Sequence, residues 1–257
     1  MLTTPSRTCV ATALFCLLVT GTQARAQSQQ QFADDVTRVM ALGDSIAAGY
    51  KAMPVTSGYA YLLYQGGVFD RIPHTLFCNA AVPGASSRDV LLHQVPQALI
   101  APANGGFGPH YITLTVGGND LLAILHFAAT HPDQDQVLQF AQQVLGAYAQ
   151  NLGQTLAQLR AGLPQARIFV ANQYAIPEIQ AILPFTDLVI DSFNAVVAQV
   201  VAQFPNVFLV DAHEAFLDRN SLLLVERPGS SPFEVHLTSA GHRAMAQAFK
   251  DVIDQNR

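Results

Sequence analysis

The amino-acid sequence predicts an α/β domain in which helices cover both faces of a largely parallel β-sheet. Three observations carry this. Short runs rich in β-branched and apolar residues recur along the chain, and longer segments with apolar residues at helical spacing separate them. Strands alternating with crossover helices close into a parallel sheet. The composition, 50% hydrophobic and 12% charged, supplies enough apolar surface for a core and excludes a disordered chain.

The elements follow in order. Residues 36–42 (VTRVMAL) read as the first strand. A helix is expected over 57–65, stopped by Gly66-Gly67, and a short strand over 74–81. A helix starts over 87–94, with the hydroxyl of Ser86 or Ser87 accepting an amide hydrogen of its first turn. The Pro- and Gly-rich segment 94–109 reads as a surface loop and as the rim of a cleft. Residues 111–116 (YITLTV) form a buried strand. After a helix over 121–127, the segment 136–161 places Val137, Phe140, Val144, Leu145, Tyr148, Leu152, Leu156 and Leu159 on one face, and Gly162-Leu163-Pro164 ends it. A strand over 167–171 (RIFVA), a helix over 186–204, a strand over 206–210 (NVFLV) and an amphipathic helix over 238–256 complete the pattern.

The first 26 residues read as a secretory signal peptide rather than part of the domain. Arg7 precedes an apolar run, CVATALFCLLV, and Ala24-Arg25-Ala26 forms a small-x-small cleavage site. The run is too short to span ~30 Å of hydrocarbon, and no later segment is long and apolar enough to do so. Cleavage after Ala26 leaves residues 27–257 as the domain, secreted or periplasmic. Removing Arg7 and Arg25 takes the net charge from −5 to −7, which argues against nucleic acid and anionic membrane surfaces as partners. Cys9 and Cys16 leave with the leader. Cys78 then has no internal disulfide partner and is expected to be a small buried hydrophobe.

Four segments carry candidate chemistry. Gly43-Asp44-Ser45 follows the first strand, where an open α/β sheet binds ligands outside its carboxyl ends. A serine hydroxyl there becomes a nucleophile only if a base takes its proton. Asp44 reads as a brace for this turn, accepting nearby backbone N–H groups. Val82-Pro83-Gly84-Ala85-Ser86-Ser87 joins a strand to a helix, and Gly84 lets a backbone N–H approach a ligand. Gly117-Gly118-Asn119-Asp120 follows the strand 111–116, so Asn119 can aim its amide at a developing oxyanion; the alternative is that Asn119-Asp120 only caps the next helix. His236 precedes the last helix and can act as a base near neutral pH. His242 falls inside that helix and reads as structural. The other histidines show no metal-ligand spacing.

These four segments, in this order, resemble the GDSL hydrolases, also called the SGNH family. The marker residues match Ser45 in LGDSIAAGY, Gly84 in NAAVPGASS, Asn119 in VGGND and His236 in VHLTSAGH. The resemblance runs from about Val39 to Ala248. It implies a single three-layer α/β/α domain similar to flavodoxin, no metal and no cofactor. It further implies a serine hydrolase that cleaves carboxylic esters. In that mechanism His236 deprotonates Ser45, the backbone N–H groups of Ser45 and Gly84 and the side chain of Asn119 hold the oxyanion, and water releases the acyl group.

The chain departs from the family at the third triad member. The aspartate three residues before the histidine is replaced by Phe233, and the proline after it by Leu237. The group that orients the imidazole through Nδ1–H is therefore the Phe233 carbonyl, Glu234 or a distant carboxylate such as Asp211. The expected substrate is a small-molecule or lipid ester. The apolar stretches 121–129 and 181–189 either line the cleft, favouring an acyl chain, or are core helices. The chain has no Trp to stack on sugars, which weakens the alternative of a carbohydrate O-acetyl esterase. A non-catalytic binding protein on the same scaffold would have no need of a nucleophile–base pair.

Overall fold

Five parallel strands form one sheet in the order β2-β1-β3-β4-β5. They are β1 (Thr37–Gly43), β2 (Thr75–Asn79), β3 (Tyr111–Thr115), β4 (Arg167–Ala171) and β5 (Val207–Val210). The computed structural model describes residues 37–69, 75–103, 108–175, 185–217 and 236–256. The first 26 residues, read above as a leader, lie outside them.

Side-chain alternation along each strand divides the interior into two cores. Leu42, Ile112, Leu114, Ile168 and Val170 face one side; Val39, Ala41, Phe169, Ala171 and Val210 face the other. On the first side pack α5 (Gly118–Thr130), α6 (Gln134–Gly162) and α7 (Thr186–Val201). Helix α6 buries Val137, Tyr148, Leu152, Leu156 and Leu159, the stripe its periodicity predicts. On the second side pack α1 (Ser45–Ala48), α2 (Tyr59–Gln65), α8 (Ala212–Leu217) and α9 (Ser239–Gln255). The result is the three-layer α/β/α arrangement expected from the sequence.

Two local expectations need correction. Residues 94–109 are not simply a loop. A short helix α3 (Ser87–Asp89), capped by Ser86, widens into a π-turn (Val90–Gln94) and continues as α4 (Val95–Ala103). Pro96 follows the widened turn, where the N–H ladder is already shifted, and Pro102 lies in the last turn, with little helix beyond it to kink. Cys78 is exposed rather than buried. It lies on edge strand β2, where Leu76, two residues earlier on the same face, is also exposed.

Strand order reverses direction between β1 and β3, the switch point at which such sheets open a crevice beyond their carboxyl ends. Ser45 follows β1 and Asn119 follows β3, so the sheet itself brings these two segments side by side.

Candidate active site

The serine turn is built into the middle of the sheet. Gly43 ends β1 with φ 127°, and a β-carbon there would lie 1.9 Å from the Thr115 carbonyl oxygen on β3. Only glycine permits that approach. The buried Gln94 side chain grips both backbone groups of Gly43: Gly43 N–H donates to Gln94 Oε1 at 2.7 Å, and Gln94 Nε2 donates to Gly43 O at 2.8 Å. Asp44 caps α1, its Oδ1 accepting from Ile46 N at 3.0 Å and from Thr115 Oγ1 at 2.9 Å. The Asp44 N–H donates to Thr115 O at 3.0 Å. Burial pushes the Asp44 carboxyl up to about 6, against the opposing pull of these hydrogen bonds. Asp44 thus braces the turn, and Ser45 follows as the first helical residue, buried like its neighbours.

His236 meets this serine from the far end of the chain. Its Nε2 lies 3.0 Å from Ser45 Oγ, within the range for proton transfer between nucleophile and base. The next residue, Leu237, is fully buried in the second core, where the family often has proline. Thr238 then caps α9 by accepting from Gly241 N at 3.2 Å. The ring of Tyr50 meets His236 edge-on at 4.6 Å between centroids, while Tyr50 N–H donates to Ser45 O at 2.9 Å. His242 has a structural place: Tyr59 N–H donates to its Nδ1 at 3.3 Å, its Nε2 faces Tyr50 O at 3.5 Å, and burial lowers its pKa to about 4.

The Gly84 and Asn119 segments meet beside the serine turn. Gly84 has φ 85°, a left-handed conformation, with open space around the position of a β-carbon. Val82 N–H donates to Gly43 O at 3.0 Å, and Asn119 Nδ2 donates to Ala85 O at 2.9 Å. An amide carries two hydrogens, so one remains for a ligand. Helix α5 starts after Gly117, which makes no side-chain cap. Asn119 and Asp120 therefore sit in its first turn, and the capping alternative does not hold. Asp120 instead accepts from Ser87 N at 2.9 Å and from Ser87 Oγ at 2.7 Å, and burial raises its pKa.

A pocket of about 840 Å³, its open mouth included, begins at Ser45 and Asn119. Leu121, Leu122 and Leu125 of α5, Val189 and Ile190 of α7, and Met245 of α9 line it. Both apolar stretches singled out in the sequence thus contribute to the cleft, although Ile124 and Leu125 are also buried. Among the described residues of 94–109, none lines this pocket. Gln94 acts on the site from beneath, through Gly43. Phe233 and Glu234 lie outside the described residues. Asp211 Oδ1 accepts from Asn172 Nδ2 at 2.9 Å and from Glu214 N at 3.0 Å, which ties it to the end of β5. Among the described residues no group of three or more His, Cys, Asp or Glu side chains is placed to hold a metal ion.

Sequence reasoning missed Gln94, Tyr50 and the bracing role of Asp120. Each acts on a residue that is distant in sequence or through packing, so no local spacing marks it.

A parallel sheet with a serine and an imidazole in contact at its switch point is an arrangement suited to an α/β hydrolytic enzyme. The chain belongs to the GDSL-like lipase/acylhydrolase family, whose model matches residues 41–244, and it is an ester hydrolase of that family. No curated protein matches it by sequence alone. Among solved structures it is similar to the lipase Lip_vut3 from a goat rumen metagenome, at 19% identity and a TM-score of 0.65, covering 84% of this chain and 97% of that one. It is similar to phospholipase A1 from Streptomyces albidoflavus NA297, at 19% identity and a TM-score of 0.64, covering 86% and 99%. A family 3 carbohydrate esterase from Clostridium thermocellum shares the fold at 20% identity and a TM-score of 0.55, covering 86% and 96%.

Proposed function

We propose that the protein is an exported esterase that takes esters with an apolar acyl chain, with Ser45 as nucleophile and His236 as general base. The observation that carries this is the 3.0 Å approach of Ser45 Oγ to His236 Nε2 at the mouth of a pocket lined by leucine, isoleucine and valine. His236 Nε2 takes the hydroxyl proton as Oγ attacks the ester carbonyl carbon. The carbonyl oxygen becomes an oxyanion held by the N–H groups of Ser45 and Gly84 and the free amide hydrogen of Asn119. The C–O bond to the alcohol breaks, and the alcohol leaves with the proton from His236. Water, deprotonated by the same imidazole, then releases the carboxylic acid and restores Ser45. The acyl chain lies along α5 and α7, where apolar contacts favour it over a sugar.

Of the three candidates to orient the imidazole we take the Phe233 carbonyl over Glu234 and Asp211, and on this reading Glu234→Gln retains most activity. A loss near ~10⁴, the size seen when a true triad carboxylate is neutralised, contradicts this. Export rests on the leader-like first 26 residues, with cleavage after Ala26. No helix among the described residues is long and apolar enough to cross a membrane.

The test is hydrolysis of p-nitrophenyl esters from acetyl to palmitoyl by the mature protein and by Ser45→Ala. Turnover by wild type alone, with an optimum beyond acetyl, is the expected result. Turnover retained by Ser45→Ala refutes the nucleophile assignment. An acetyl optimum refutes the acyl-chain reading and favours an O-acetyl esterase.

A further inference from the structure

We propose that Asp120 is a positioning residue for the oxyanion site: through Ser87 it fixes the loop that carries Gly84 against the turn that carries Asn119. This rests on the assignment of Gly84 and Asn119 as oxyanion donors.

The argument starts from Gly84 itself. Nothing lies within 4 Å of the place its β-carbon would occupy, so packing at that residue does not set the direction of its N–H. The flanks must do so. On one side Val82 N–H donates to Gly43 O, which ties the loop to the serine strand. On the other side Ser87 is held by both oxygens of Asp120, at 2.9 and 2.7 Å. Ser87 is buried, at 2% exposure, so water does not compete for these bonds.

The direction of the Ser87 hydroxyl is fixed as well. Asn151 Nδ2, from α6, donates to Ser87 Oγ at 3.0 Å. The hydroxyl hydrogen is then left to point at Asp120. Asn119 adds a parallel tie through its 2.9 Å bond to Ala85 O. The loop and the turn are thus joined by three hydrogen bonds, two of them from Asp120, and neither donor can shift without straining the other.

The sign of the expected effect separates positioning from simple electrostatics. A carboxylate beside a developing oxyanion opposes it, so by charge alone Asp120→Asn speeds the reaction. The clamp predicts the opposite. An asparagine amide keeps an acceptor for the Ser87 N–H but turns its NH₂ group towards Ser87 Oγ, so the buried Ser87 hydroxyl, which already accepts from Asn151, loses the acceptor for its own hydrogen. A displacement of well under an ångström then weakens contacts made only in the transition state.

The experiment measures kcat and KM on p-nitrophenyl butyrate for wild type, Asp120→Asn, Asn119→Ala, their double variant and Ser45→Ala, with thermal melts to establish folding. Asp120→Asn is expected to lower kcat by ~10–100-fold with KM within ~2-fold. In the Asn119→Ala background its effect shrinks to ~3-fold or less, because the two act through one site. An unchanged or raised kcat overturns the proposal, and so does a full multiplication of the two effects. If Asp120→Asn does not fold, Ser87→Ala and Asn151→Ala serve instead; each is expected to lower kcat by ~3–10-fold at constant KM, and an unchanged kcat in both overturns the proposal. Activity retained by Ser45→Ala overturns the site assignment beneath it. Activity lost there but untouched in the clamp variants overturns the clamp alone.

Discussion

Replacing Asp44 with asparagine isolates one buried charge beside Ser45. Asparagine is as good a helix N-cap as aspartate and keeps an acceptor for Ile46 N and Thr115 Oγ1. The substitution therefore removes charge and little else. In the folded protein burial pushes the Asp44 carboxyl up to about 6, from an ordinary value of 3.8. The folded state thus holds this proton more tightly than the unfolded state. The stability this confers is fully present below the ordinary value and is lost as pH rises through about 6. At ~1.4 kcal/mol per unit the whole loss is ~3 kcal/mol. About half of it, ~1–2 kcal/mol, falls between about pH 5 and about pH 8. Urea unfolding of wild type and Asp44→Asn at those two pH values measures it, since every other titrating group cancels in the difference. The variant should gain ~1–2 kcal/mol on wild type between the two. An equal difference at both pH values refutes the reasoning. A difference of opposite sign would mean that the hydrogen bonds from Thr115 and Ile46 outweigh burial.

Three further outcomes are expected. Gly43→Ala places a methyl group 1.9 Å from the Thr115 carbonyl and should cost ~4 kcal/mol or more; a soluble variant melting like wild type contradicts the close strand approach. Gln94→Leu leaves the Gly43 N–H buried without its acceptor and should cost ~2 kcal/mol in urea unfolding. A cost below ~0.5 kcal/mol shows that the side chain does not hold the turn. Cys78 in the folded protein should react with an aromatic disulfide reagent about as fast as it does in urea, because it is exposed; protection by folding contradicts its place on the edge strand.

Much of the site was legible because chain order and sheet order coincide where it matters. Ser45, Gly84 and Asn119 each follow a strand, so a parallel sheet collects them at one edge whatever the details of packing. His236 was legible because it stands directly before a strongly amphipathic helix. What escaped depends on contacts that leave no periodic trace. Gln94 reaches Gly43 across 51 residues, and Asp120 reaches Ser87 across 33. The helix Val95–Ala103 was hidden by its prolines, whose count suggests a loop and whose positions at the two ends allow a helix. Cys78 was misread because average burial of a residue type says nothing about whether its strand lies at the sheet's edge.

The bond from the Asp44 amide to the Thr115 carbonyl has a consequence for how the enzyme fails. A turn held between two central strands has no small opening of its own. Its amide should exchange with solvent deuterium only when the whole sheet comes apart, with the slowest protons of the molecule. Ser45 is then the last part of the site to lose its shape on heating. Inactivation that precedes global melting would begin on the histidine side, where, among the described residues ahead of the last helix, Leu237 anchors the approach to the core.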